Sequence, residues 1–294
     1  MKAKNKNKGV QMNVVIIFAQ NSLHMSSKLL EGKTGIISGA LNDKSIAWKV
    51  AELCHFHGAK VVLTNAPIAM RMGEINGLAE KINAPIFAAD ATSEQDLQNL
   101  FQGSMEHFGG KIDFVLHSIG MSPNVRKGRH YTDLNYEWYK QTLDVSAMSL
   151  HKMLSVAWKM DAINDWGSVV ALTYIAAQRI FPDYNDMADA KSLLESIARS
   201  FGYHYGSAKK VRINTISQSP TVTTAGSGVK GFDGFINYSE LMSPLGNADA
   251  EACANYCVAL FSDLTKYVTM QNLFHDGGFS NTGVTQAVVE KFGS

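Results

Sequence analysis

Short, almost unbroken apolar runs alternate along the chain with longer stretches in which apolar positions recur at helical spacing. The runs fall at residues 34–38 (TGIIS), 60–64 (KVVLT), 85–89, 112–117 (IDFVLH), 168–173 (SVVALT), 211–217 (VRINTIS) and 269–274. Amphipathic stretches cover 45–57, 69–83, 135–163, 184–205 and 248–261. A further helix opens at Thr92-Ser93-Glu94, where a cap residue is followed by acids. Runs that are apolar at successive positions mark strands buried on both faces of a sheet. Seven of them in strict alternation with helices predict one α/β domain, a doubly wound (Rossmann) fold around a seven-stranded parallel sheet. No Pro-rich linker, repeat or low-complexity tract divides it. The Gly/Ser/Thr-rich stretch at 219–243 is too long for an ordinary connection, and such loops tend to be lids or binding loops. It leaves the sheet at the carboxyl ends of the strands, where ligands of these folds sit.

Composition adds limits. Of 294 residues, 46% are hydrophobic and 18% charged, which excludes wholesale disorder. The net charge of +1 conceals two unlike parts. Lys2, Lys4, Lys6 and Lys8 give residues 1–24 a local +4, leaving 23 basic against 26 acidic residues over 25–294. Such a body lacks the basic face of a nucleic-acid binder. The run VVIIFA at 14–19 is too short for a signal-peptide core, and nothing reaches the roughly 18 apolar residues of a membrane span. Met25 follows directly, so residues 1–28 are expected to be a disordered extension or a misassigned start, with the folded domain over 29–294. Three cysteines cannot build a disulfide framework, which points to the reducing cytoplasm. Cys253 and Cys257, four apart without His at metal spacing, read as packed thiols, and no metal site is expected.

Candidate chemistry gathers at the strand ends. Gly39, straight after the first strand, allows close backbone approach to a pyrophosphate, and the helix opening near Ser45 offers unpaired N–H groups. The full Gly-x-Gly-x-x-Gly fingerprint is absent, and a turn glycine with a serine cap reads equally well. After strand two, Thr64-Asn65-Ala66-Pro67 holds neither acid nor base, which favours NADH over NADPH. Asp90 after strand three suits an adenine amino group or simply starts a helix. His117 closes an apolar strand and reads as a core histidine, with the small turn Ser118-Ile119-Gly120 beyond it. Tyr184 and Lys191 lie seven residues apart, within about 20° on one helix face and about 10 Å in rise. A neighbouring ammonium favours the phenol's anion and improves its hydrogen bonding to a developing oxyanion. The plainer alternative is a boundary tyrosine and a surface lysine. Tyr174 follows strand five, where a parallel-sheet enzyme places a catalytic group.

Together these features resemble the bacterial enoyl-acyl-carrier-protein reductases of the short-chain dehydrogenase/reductase superfamily, from about Leu29 to Gly283. The carrying residues are Gly39-x5-Ser45-Ile46-Ala47, His117-Ser118-Ile119-Gly120 and Tyr174-x9-Tyr184-x6-Lys191. Val211-Arg212-Ile213-Asn214 and His275-Asp276-Gly277-Gly278-Phe279 support them. The Met-Ala-Asp-Ala-Lys wording of the helix looks particularly like Bacteroides-type versions. The resemblance implies NADH-dependent reduction of trans-2-enoyl thioesters on acyl carrier protein, by a cytoplasmic homotetramer. It gives Tyr184 the enolate oxygen, Lys191 the nicotinamide ribose and Tyr174 a place against the substrate. Gly39, Ser45 and Ile46 fall at the pyrophosphate, Asn65 and Ala66 near the adenosine ribose, and Asp90 and Ala91 near the adenine. Ser118, Ile119 and Gly120 lie by the nicotinamide, with Ser122 on the substrate side. Pro220, Thr221, Val222 and Thr223 fall by the nicotinamide and phosphates, although Gln218-Ser219-Pro220 replaces the commoner Ala-Gly-Pro. The stretch 226–238 resembles a substrate-binding helix, a lid. Its Lys230, or Arg126, Lys127 and Arg129, are candidates for docking an acidic carrier. A ketoacyl-type reductase, with a shorter Tyr–Lys gap, and a non-catalytic dinucleotide sensor are the alternatives.

Overall fold

The computed structural model describes residues 28–71, 74–223 and 231–293. The expectations for residues 1–24 and for Lys230 fall outside them. In chain order the elements are β1 (Thr34–Ser38), α1 (Ile46–Phe56), β2 (Lys60–Thr64), α2 (Pro67–Met70), α3 (Glu74–Lys81), α4 (Glu94–Phe108), β3 (Ile112–His117), α5 (Pro123–Arg126) and α6 (Tyr136–Leu143). A π-helical turn (Asp144–Met148) joins α6 to α7 (Ser149–Lys159). There follow β4 (Ile163–Thr173), α8 (Asn185–Lys209), β5 (Arg212–Gln218), α9 (Phe232–Met242), α10 (Ala250–Phe261), β6 (Asn272–His275) and α11 (Gln286–Phe292).

The strands form one parallel sheet in the order β2-β1-β3-β4-β5-β6. The order reverses between β1 and β3, and that switch point leaves a crevice at the strand ends. One face of the sheet carries a core containing Trp48, Leu78, Phe114 and Phe261, the other a core containing Leu97, Leu150, Leu194 and Tyr205. Phe114 stacks on Phe261 at 4.5 Å. It crosses β1 at Gly35, where a Cβ would sit 2.2 Å from its ring. Cys54, Cys253 and Cys257 are buried in the first core. Among the described residues, no helix is long and apolar enough to cross a membrane, and no group of three or more His, Cys, Asp or Glu could hold a metal.

Among the described residues the sheet has six strands, one fewer than the pattern predicts. Residues 85–89 run beside β2 but pair through a single bridge, Leu63 with Ile86. Leu63 donates to the Pro85 carbonyl, and Phe87 and Ala89 donate to the Leu63 and Asn65 carbonyls. Pro85 has no N–H to extend the pairing backward, and among the described residues no Asn65 N–H bond extends it forward, so the segment stays a bridge at the sheet edge. The single helix predicted over 135–163 is broken by the π turn and ends at Lys159. Asp161, in the left-handed region at φ +52°, turns the chain into β4. Met270, at φ +61°, likewise delays β6 to Asn272.

Candidate active site

A cavity of about 280 Å³ opens beyond the carboxyl ends of β1, β3, β4 and β5. At the end of β1, Gly39 has φ +96°, and a Cβ there would lie 2.0 Å from the Ser118 carbonyl oxygen. Only glycine lets these two strand ends pass so closely. The chain then lines the cavity with Leu41, Asn42, Ser45 and Ile46. The Ser45 hydroxyl donates to the Asn42 carbonyl at 2.7 Å and does not cap α1. The amino end of α1 is thereby left without its side-chain cap, the arrangement that receives an anion.

The opposite wall comes from the chain entering α8. Tyr184 precedes the helix, flanked by Asp183 at φ +66° and Asn185 at φ +44°. Asp and Asn tolerate that region better than other side chains, yet it still costs on the order of 1–3 kcal/mol per residue. The helical count from Tyr184 to Lys191 therefore starts outside the helix, although both side chains line the cavity. Lys191 donates one N–H to the Leu172 carbonyl at 2.9 Å. Among the described residues its other two N–H bonds have no partner and face the cavity. Gly120 closes on this group: a Cβ there would be 3.7 Å from Lys191 Nζ and 3.3 Å from Met187 Cε. The Tyr174 ring lies 5.2 Å from that of Tyr184 and 5.1 Å from that of Phe181, and Phe181 is 6.0 Å from Phe235 of α9.

Burial controls the protonation of these groups. It pushes the phenols of Tyr184 and Tyr174 up from their ordinary range, and Tyr184 and Asp276 raise Tyr174 further. Burial thus favours the protonated phenol of Tyr184, the form that donates a hydrogen bond. The Lys191 ammonium is lowered to about 8 by burial, against which Glu195 acts. His117 is pushed down to about 3 by burial, with Lys191 adding to the effect. Its Nε2 meets Ser149 Oγ at 2.8 Å, and Ser149 spends its proton on the Val145 carbonyl, so Nε2 carries the hydrogen. It lies in the core as expected, but only Nε2 is satisfied: buried Nδ1 has no partner among the described residues.

Residues 39–280 match the family described as Enoyl-(Acyl carrier protein) reductase, most of the chain. The chain belongs to the enoyl-acyl-carrier-protein reductase family. The enzyme named enoyl-[acyl-carrier-protein] reductase [NADH] FabI from Rickettsia typhi is 32% identical over 262 residues, 88% of this chain and 98% of that one. The solved FabI–NADH complex from Alistipes finegoldii is 63% identical with a TM-score of 0.89, covering 90% of this chain and 94% of that one. The enoyl-[acyl-carrier-protein] reductase (NADH) of Aquifex aeolicus is 29% identical with a TM-score of 0.81, covering 87% and 100%.

In this reductase the cavity brings together Gly39, Ser45, Ile46, Ser118, Ile119, Gly120, Ser122, Tyr174, Tyr184, Lys191, Pro220, Thr221 and Thr223 of the residues singled out from sequence. Asn65, Ala66, Asp90, Ala91 and Val222 lie outside its lining. Asn65 instead donates to the Ala40 carbonyl at 2.9 Å and accepts from the Ala66 N–H at 2.8 Å, bracing the loops after β1 and β2. Asp90 accepts from the Thr92 N–H and hydroxyl in the turn before α4, whose cap is Ser93. Ser122 lines the cavity, yet its hydroxyl is spent within the protein, accepting from Val125 N–H at 3.0 Å and donating to Asp186 at 2.7 Å. Sequence reasoning placed the stretch 226–238 beside the substrate but did not single out Phe232 and Phe235, and it missed Phe181, which completes their aromatic wall. It also missed Ser146 in the π turn, whose Oγ accepts from the Met121 N–H at 2.9 Å and lies 3.0 Å from the Met121 carbonyl. π turns inside helices often mark functional sites.

Proposed function

We propose that the protein is an NADH-dependent enoyl-acyl-carrier-protein reductase that saturates the trans-2 double bond of enoyl thioesters, the last step of each fatty-acid elongation cycle. The observation that carries this reading is the convergence of Tyr174, Tyr184 and Lys191 on one cavity whose far wall is aromatic.

The cavity fits a dinucleotide. Gly39 leaves no side chain where a pyrophosphate would pass, the amino end of α1 lacks its cap, and Lys191 keeps two N–H bonds for ribose hydroxyls. NADH, when bound, supplies the hydride that reaches the β-carbon of the substrate. The electron pair of the double bond then moves toward the thioester carbonyl, and Tyr184 donates a hydrogen bond to that oxygen. Because the charge develops only in the transition state, the bond accelerates the reaction rather than tightening ground-state binding. A proton from solvent completes the α-carbon, so one hydride and one proton are added in all. Tyr174, packed on Tyr184, orients the enoyl group, while Phe181, Phe232 and Phe235 receive the acyl chain. With Phe232 and Phe235 facing the cavity, α9 serves as the lid.

Arg126 lines the cavity and is exposed, with exposed Lys127 beside it, which supports this corner as the dock for the acidic carrier protein. Arg129 is already paired with Asp133 at 3.1 Å. Trp158 of α7 and Tyr203 of α8 are exposed on packed helices, which supports a homotetramer like that implied by the family resemblance. The test follows NADH absorbance with crotonyl thioester and, separately, acetoacetyl thioester. Turnover with the first is expected; turnover with the second alone overturns the reading in favour of a carbonyl reductase.

A further inference from the structure

We propose that Asp186 is a positioning residue for catalysis, a buried carboxylate that ties Tyr184 to the cavity wall built by residues 118–126. The proposal rests on the reading of Tyr184 given above. Asp186 has no exposed surface, and among the described residues no cationic side chain forms an ion pair with it. Three neutral side chains converge on it instead. Ser122 donates to Oδ1 at 2.7 Å, Asn124 donates to Oδ2 at 2.8 Å, and the Thr142 hydroxyl lies 2.8 Å from Oδ2. Asn124 uses its other N–H on the Asn135 carbonyl at 3.1 Å and accepts from the Asn135 N–H at 3.0 Å. One carboxylate thus joins the start of α8 to α5 with its cap and to α6.

Burying a carboxylate without a counter-ion is unfavourable, and an apolar side chain would fill this space without that cost. Its place in the chain supplies the reason. Tyr184 is two residues upstream, and Asn185 between them is held at φ +44° by its own bond to the Arg129 carbonyl at 2.5 Å. The backbone that presents the phenol is one that local preference disfavours, and Asn185 and Asp186 are its anchors. At the other end of the link, Met121, Ser122, Val125 and Arg126 all line the cavity. Asp186 therefore fixes the distance between the phenol and the wall it faces.

The test is a double-mutant cycle. Asp186→Asn keeps the shape but turns an amide N–H₂ toward groups that donate. Turnover of crotonyl thioester is expected to fall about 10- to 100-fold with the NADH dissociation constant changed less than about threefold. In the Tyr184→Phe background the same change is expected to cost less than about twofold, because the group it positions is gone. An equal loss in both backgrounds overturns the proposal. If Asp186→Asn does not fold, Thr142→Val, which removes one hydroxyl, is carried through the same cycle and should show the same pattern at smaller size. Amide hydrogen exchange provides an arm independent of turnover. Residues 119–126 and 184–188 should exchange faster together in the variant, and faster exchange in one segment alone, or in neither, overturns the proposal. A wild-type protein inactive on crotonyl thioester would defeat the functional reading while the exchange arm still decides the link.

Discussion

Lys191 and Glu195, one turn apart on α8, hold consecutive residues at the end of β4: Lys191 Nζ donates to the Leu172 carbonyl at 2.9 Å, and Glu195 Oε1 accepts from the Thr173 hydroxyl at 2.9 Å. Gln178 and Asn272 complete the carboxylate's partners, at 3.2 and 3.1 Å. The strand end that leads into Tyr174 is thereby fixed to the helix that follows Tyr184. Glu195 also opposes the fall of Lys191 toward about 8, which burial causes.

That pairing sets a pH dependence. Lys191 is an ammonium below about 8 and loses its proton above, so NADH affinity should be flat on the acid side and weaken as pH rises through that value. Glu195→Gln removes the charge that favours the ammonium, so the alkaline limb should move to lower pH. Fluorescence titration of NADH across the alkaline range checks this, and a limb that stays in place contradicts the electrostatic role of Glu195.

Tyr184 and Lys191 should separate turnover from binding. Tyr184→Phe is expected to lower kcat by about 100-fold or more, the usual cost of losing one donor to a developing oxyanion, with NADH binding nearly unchanged. Lys191→Ala should mainly weaken NADH binding, having removed the two N–H bonds offered to the ribose. Unchanged affinity in the lysine variant would remove that role.

Strand ends were legible from hydropathy alone, and with them the places of Gly39, Ser118, Gly120 and Tyr174, because strand ends of a parallel sheet point at one crevice. The third apolar run, 85–89, misled: hydrophobicity announces burial, but a ladder needs consecutive paired bonds. Among the described residues this edge segment forms only one bridge, with Pro85 unable to donate before it and the Asn65 N–H not donating after it. Phe181 and Phe235 were hidden because single aromatics at irregular spacing look the same in a core and in a pocket. Asp186 in the sequence reads as an acid in the first turn of a helix. Only the folded chain reveals that Ser122, Asn124 and Thr142 surround it. Asn65 also braces the Ala40 carbonyl and Asp90 also accepts from the Thr92 N–H, contacts within the protein that sequence alone does not announce.

Arg126 should act on the carrier rather than on the thioester. Arg126→Glu is expected to raise KM for a carrier-bound enoyl substrate about tenfold at low salt, while leaving KM for the coenzyme A thioester within about twofold. Parallel kinetics on the two substrates check it, and equal effects on both would place Arg126 at the thioester.

Gly39 links fold and site. Gly39→Ala forces a Cβ to within 2.0 Å of a backbone oxygen at φ +96°, which neither strand end can yield to cheaply. A loss of about 2 kcal/mol or more of stability is expected, together with weaker NADH binding. Thermal melting with and without NADH checks both, and a variant as stable as the wild type would contradict the close approach.

The fate of the hydride separates enoyl reduction from carbonyl reduction. NADH carrying deuterium at the transferable position of the nicotinamide, incubated with crotonyl thioester, should yield butyryl thioester with one deuterium on its β-carbon. Deuterium on a newly formed hydroxyl-bearing carbon, seen only when acetoacetyl thioester replaces the crotonyl compound, would contradict the account.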